Sequence, residues 1–159
     1  MQTKIETIIE NYLKNKTKSG DYFNLFWVMQ LDGKELVHSA FIADLLNPEG
    51  WHGQGYIFLQ GFLNEIKCEY KVTSKTKVTV EVEKDIGKIN RKYTEGGRID
   101  IYITLKNENE RKPYVLVIEN KVFAKDQKNQ IFRYKNYLEN EKEKGNIKEF
   151  KIYYLTLDG

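Results

Sequence analysis

Asp100, the pair Glu119 and Lys121, and then Gln130 and Tyr134 are the residues of this 159-residue chain whose types and spacing could do chemistry. Two carboxylates and an ammonium gathered at a sheet edge are the parts needed to hold Mg²⁺. They could also activate water against a phosphodiester, because a hard cation takes oxygen ligands and a nearby lysine steadies developing negative charge. The same three charges also suit a plain ion pair between Lys121 and Asp100, and their types alone leave both readings open. Glu-x-Lys is itself a weak signal here. It starts at Glu65, Glu69, Glu110, Glu119 and Glu149, and only the copy at Glu119 closes an apolar strand. There the two-residue period of a strand turns Glu119 and Lys121 to one side.

The elements that must position these groups follow from periodicity. Val78, Val80 and Val82 alternate with Thr79, Glu81 and Glu83, which predicts a half-buried strand; Ile99, Ile101, Ile103 and Leu105 alternate around Asp100 in the same way. Val115–Ile118 is continuously apolar, as in a central strand covered on both faces. A basic, glycine-containing connection spans 87–97. A long helix is expected over 124–144, with Ile131, Tyr134 and Leu138 on one stripe, and a last strand over 151–157. Upstream, helices are expected over 3–15, as a turn or two within 22–29, over 34–46 ending at Asn47-Pro48, and around 58–66. The order is therefore helices, three strands, a helix and a strand.

In helix 34–46 nearly everything is apolar apart from a narrow stripe of Glu35, His38 and Ser39 at i, i+3 and i+4. Such a stripe faces either the candidate site or solvent, where Glu35 would suit the helix start. Gln130 and Tyr134, one turn apart, read either as site residues or as ordinary surface and core. Glu83, ending its strand near Asp85, reads either as approaching the same site or, the favoured reading, as an ion-pair partner for the Lys and Arg residues near it. Lys88, Arg91, Lys92 and Arg98, flanked by Lys125, Lys128 and Arg133, form a strip able to track phosphates, although charged runs are commonly just solvated faces.

Composition sets wide bounds. A net charge of +3 permits a polyanionic partner without requiring one. Cys68 is the single cysteine, so neither a disulfide framework nor a cysteine-based zinc site can form within one chain. No apolar run approaches the roughly 18 residues of a membrane span. The opening MQTKIETIIENYL lacks signal-peptide architecture, so a cytoplasmic location is expected. The chain stops on a strand and a turn signal, which suggests the front part of a longer protein, truncated at its C-terminus.

Asp100, Glu119 and Lys121 resemble the core of the PD-(D/E)xK nuclease superfamily. The run from Glu119-Asn120-Lys121 to Gln130 and Tyr134 is similar to a bacterial branch that pairs an ENK motif with a Gln-x-x-x-Tyr helix. Members of that branch carry an upstream Glu-x-x-His-Ser segment, matched here by Glu35, His38 and Ser39. The resemblance spans residues 22–157; Ile99 stands where the motif's proline would precede Asp100. It implies an α/β fold with a restriction-endonuclease-like αβββαβ core, a small mixed sheet flanked by helices and extra N-terminal helices. Residues 1–159 would form one nuclease-like domain, helical over 1–76 and catalytic over 77–159.

The resemblance further implies a Mg²⁺-dependent nuclease, with Mn²⁺ as substitute, acting on DNA in restriction, phage defence or repair. Asp100, Glu119, the Asn120 carbonyl and Glu35 would bind metal. Lys121 would position water, and Gln130 would complete the catalytic set. Lys88, Arg91, Lys92, Arg98, Lys125 and Tyr134 would contact nucleic acid. A nuclease-fold module that binds nucleic acid or protein without cutting is the alternative. Double-strand cutters often form homodimers, and no segment here marks an interface.

Overall fold

A computed structural model of the chain describes residues 25–122 and 127–156. The expected helix at 3–15, Lys125 and the last three residues lie outside the described residues. The chain divides into two compact units, residues 1–32 and 33–159. In the first, the described part is one short helix, α1 (Leu25–Val28), closed by hydrogen bonds from Met29 N–H to Leu25 and from Leu31 N–H to Phe26.

The second unit runs α2 (Glu35–Leu46), α3 (Ile57–Glu65), β1 (Lys77–Asp85), β2 (Arg98–Lys106), β3 (Tyr114–Lys121), α4 (Gln130–Glu143) and β4 (Glu149–Thr156). The strands form one mixed sheet in the order β1-β2-β3-β4. The first two pairings are antiparallel, and β4 adds parallel to β3 after the crossover through α4. This is the mixed α/β, restriction-endonuclease-like arrangement that the sequence pattern led us to expect.

Alternation along the strands builds two cores. Ile101, Ile103, Leu105, Leu116 and Ile118 face Ala43 and Leu46 of α2 and Leu59 and Leu63 of α3. Tyr102, Val115 and Val117 face Tyr134 and Leu138 of α4, joined by Ile147. Central β3 is covered on both sides, which is why its sequence shows no polar alternation until Glu119. Each fully buried Ile or Leu contributes roughly 1.5–3 kcal/mol, so these layers fix the register that carries the polar strand ends. No described helix is long and apolar enough to cross a membrane.

Two local departures matter for the site. Helix α4 begins at Gln130, six residues after its expected start, and Asn129 ahead of it adopts the left-handed region at φ 55°. Asn tolerates that conformation better than most residues. The β1–β2 ladder runs Val82–Ile101 and then Lys84–Ile99, omitting the step between Glu83 and Asp100. Glu83 there has φ 56°, a conformation that costs a non-glycine residue of the order of 1–3 kcal/mol.

Candidate metal and active site

The C-terminal ends of β1 and β3, the N-terminal end of β2 and the first turns of α2 and α4 meet at one edge of the sheet. They enclose an open cleft of about 550 Å³. Asp100, Glu35, Glu83 and Asp85 line it as acids, and Lys88, Arg98 and Lys121 as cations. Ile101 pairs with Ile118, so Asp100 and Glu119 stand one step further along the same two strands and share the face towards α4.

Glu119 is the buried centre of the site. Its Oε1 accepts from Gln130 Nε2 at 2.7 Å and lies 2.8 Å from Lys121 Nζ. Its Oε2 is a buried side-chain oxygen with no hydrogen-bond partner. Burial pushes its carboxyl up to about 7; the Asp100 charge adds to the shift, and the Lys121 ammonium opposes it. Asp100 is also raised, first by burial and then by the Glu83 and Glu35 charges, against the Asn120 N–H bond and Lys121. Burial opposes the charge on Lys121. Its ion pair with Glu119, backed by Glu35 and Asp100, outweighs that and holds its pKa above the ordinary lysine value. Lys121 thus takes Glu119 and Glu35, at 3.9 Å, as its ion-pair partners, and the pairing with Asp100 alone that the charges would also allow is not the one formed.

The polar stripe on α2 faces the strand end. Glu35 Oε1 accepts from Val122 N–H at 2.9 Å, and Ser39 Oγ, buried, accepts from Asn120 Nδ2 at 3.2 Å. Asn120 also donates its side-chain amide to the Glu35 carbonyl and its backbone N–H to Asp100 Oδ2, at 2.8 Å. Asn120 therefore ties α2 to both acid-bearing strands. His38 is half-buried on the same stripe.

Gln130 is buried and holds Glu119 while its amide also donates to the Tyr134 hydroxyl at 2.9 Å. Tyr134, expected to contact nucleic acid, has no exposed surface. Its hydroxyl donates to the Arg98 carbonyl, so it braces the start of β2 from within the core. Arg133 departs from expectation in the same way. It is fully buried, donating to the Gly96 and Lys128 carbonyls and to Gln127 Oε1, and it clasps the 86–97 connection to the segment before α4. The sequence reading placed it on a phosphate-tracking flank. Its place three residues after Gln130, one turn along the same helix, was the available signal for an inward role.

Of the remaining basic residues, Lys88 and Arg98 line the cleft, whereas Arg91 and Lys92 are exposed outside its lining. Arg98 Nη1 pairs with Glu83 Oε2 at 3.0 Å, the ion-pair role expected for Glu83.

The donor set fits a divalent cation. An ionisable oxygen buried without a partner is costly, and a cation beside Glu119 Oε2 and Asp100 would supply the missing interaction. Among the described residues no group of three or more His, Cys, Asp or Glu side chains converges into a complete cage. Two carboxylates, those of Asp100 and Glu119, suit a hard cation that completes its shell with water.

A four-stranded mixed sheet flanked by helices, with paired acids and a lysine at one strand end, defines the restriction-endonuclease-like class of α/β proteins. The family model of the PD-(D/E)XK nuclease superfamily matches residues 23–159, and the chain belongs to that superfamily. Its members are generally nucleases and typically use divalent metals. No curated protein and no solved structure matches the chain significantly.

Proposed function

We propose that the protein is a divalent-metal-dependent nuclease that hydrolyses phosphodiester bonds of DNA, with Mg²⁺ as its metal and Mn²⁺ as a substitute. The buried, partnerless Oε2 of Glu119 beside Asp100 and Lys121 carries this reading. Asp100, Glu119 and the Asn120 carbonyl would hold the cation, with Glu35 reaching it through water. When bound, the cation supplies Lewis-acid charge to the scissile phosphate and makes bound water more acidic.

The chain's own groups do the rest. Gln130 fixes the Glu119 carboxylate through Oε1 and leaves Oε2 for the metal. Lys121, held as a cation by Glu119 and Glu35, orients the attacking water and neutralises charge developing on the phosphoryl oxygens. Ser39 and Glu35 keep Asn120 and Val122 in place, so the strand end does not yield when a charged substrate arrives. Lys88 and Arg98 in the cleft, with Arg91 and Lys92 outside its lining, would track neighbouring phosphates, the role proposed for Lys125 as well. Restriction, phage defence or repair is the setting that suits such an activity.

The second reading is a module that binds nucleic acid without cutting it. Metal titration separates the two. Mn²⁺ should raise the melting temperature of the wild type, and Asp100→Ala should abolish that rise. Lys121→Ala should lose cleavage of plasmid DNA, by about 10²-fold or more, while retaining binding. A wild type that ignores metal and binds DNA as Asp100→Ala does would establish the module instead.

A further inference from the structure

Resting on the nuclease reading, we propose that a small apolar notch beside the cleft is a subsite for one unstacked nucleobase. The preferred substrate would then be a single strand or a frayed end rather than a fully paired duplex. The notch measures about 270 Å³ and is lined by Gln127, Asn129, Gln130, Ile131 and Phe132. Gln127 and Gln130 also line the cleft, so the two share a wall and a strand seated in one reaches the other.

Three observations select the occupant. On α4 the buried stripe is Gln130, Arg133, Tyr134 and Leu138; Ile131 and Phe132 lie off it and are exposed, Phe132 by 50%. Their apolar surface therefore does not serve the core. No charged side chain lines the notch, and the amides of Gln127 and Gln130 are held by Arg133 and by Glu119 with Tyr134. That environment suits a flat neutral ring better than a phosphate, whereas the charged cleft next to it suits phosphate. The space takes one heterocycle stacked on the Phe132 ring, a contact that tolerates any base. In a duplex the base beside the scissile phosphate is already stacked and paired, so filling the notch costs unstacking that a single strand does not incur.

The test uses the full chain without metal, so that nothing is cut, and oligonucleotides carrying 5-iododeoxyuridine. Irradiation should cross-link the single strand to Phe132, as located by mass spectrometry. Phe132→Leu should remove that cross-link and weaken single-strand binding about 5- to 100-fold, the scale of one lost stack, with duplex binding unchanged. Phe132→Trp should restore it. Phe132 is half-exposed, so its variants should melt with the wild type, and that is measured alongside. Equal weakening for single strand and duplex, or none for either, overturns the notch as a base site. If the wild type nevertheless cuts in Mn²⁺ and Lys121→Ala does not, the nuclease reading survives that result. A wild type that neither binds nor cuts nucleic acid overturns both.

Discussion

At Asp100 the chain holds a carboxyl group against its own electrostatic preference. Burial and the charges of Glu83 and Glu35 raise its pKa, and Asp100 in turn helps to raise that of Glu119. A folded-state pKa above the unfolded value means that ionised Asp100 costs the fold stability at neutral pH; the cost starts to ease as pH falls through the folded-state pKa and is gone below the unfolded value. Asp100→Asn keeps an acceptor for the Asn120 N–H and removes the charge. We expect the metal-free variant to melt above the wild type at pH 7 and to show no stabilisation by Mn²⁺. Thermal melts with chelator and with excess Mn²⁺ check both; a metal-free variant melting below the wild type would mean that the hydrogen bond, not the charge, governs this position.

Among the elements, those with a clean period were legible in the sequence. Val78, Val80 and Val82 placed β1, and the unbroken Val115–Ile118 run identified the central strand, because burial on one face or on two writes itself directly into residue spacing. That Glu119 and Lys121 share a face followed from the same rule. Period says which residues share a face but not where the face points. The α2 stripe was therefore visible while its direction, towards Asn120, needed the fold. The start of α4 was misplaced because nothing in the apolar pattern marks the left-handed turn at Asn129. Arg133 read as a phosphate contact from its charge, and Tyr134 from the family resemblance, although the helical stripe also allowed Tyr134 a place in the core. The fold buries both, satisfying them with backbone carbonyls of Gly96, Lys128 and Arg98 that no sequence pattern reveals. Gly96 shows the constraint from the other side: a Cβ there would stand 2.2 Å from the Lys88 carbonyl oxygen, so the connection closes only around a glycine.

Over the whole molecule, the end of the sheet away from the cleft is closed by Glu110. It accepts from Asn107 N–H at 3.0 Å, from Lys148 Nζ at 2.8 Å and from the Tyr70 hydroxyl, linking the chain after α3, the β2–β3 connection and the approach to β4. Burial alone would raise its carboxyl, but the Lys148, Tyr70 and Asn107 bonds together hold it down at about 2, against an ordinary 4.5. With the folded-state pKa depressed, its stabilisation is complete above about pH 4.5 and is lost as pH falls towards 2. Glu110→Gln should therefore have a lower urea midpoint than the wild type at pH 7, with the gap closing on acidification; a gap independent of pH would remove the charge from the explanation.

The parallel docking of β4 has a consequence in time. The β1–β2 and β2–β3 pairings join strands adjacent in sequence, whereas β4 reaches β3 only after α4 is in place. Pairings between near neighbours close sooner than a crossover does. We expect pulse-labelled amides of β2 and β3 to gain protection before those of β4, and the reverse order would refute this. Gln130 arrives with the late crossover, so a chain still being synthesised would carry Asp100, Glu119 and Lys121 before the amide that holds Glu119 has reached them. That order would leave the site incomplete until the fold is finished.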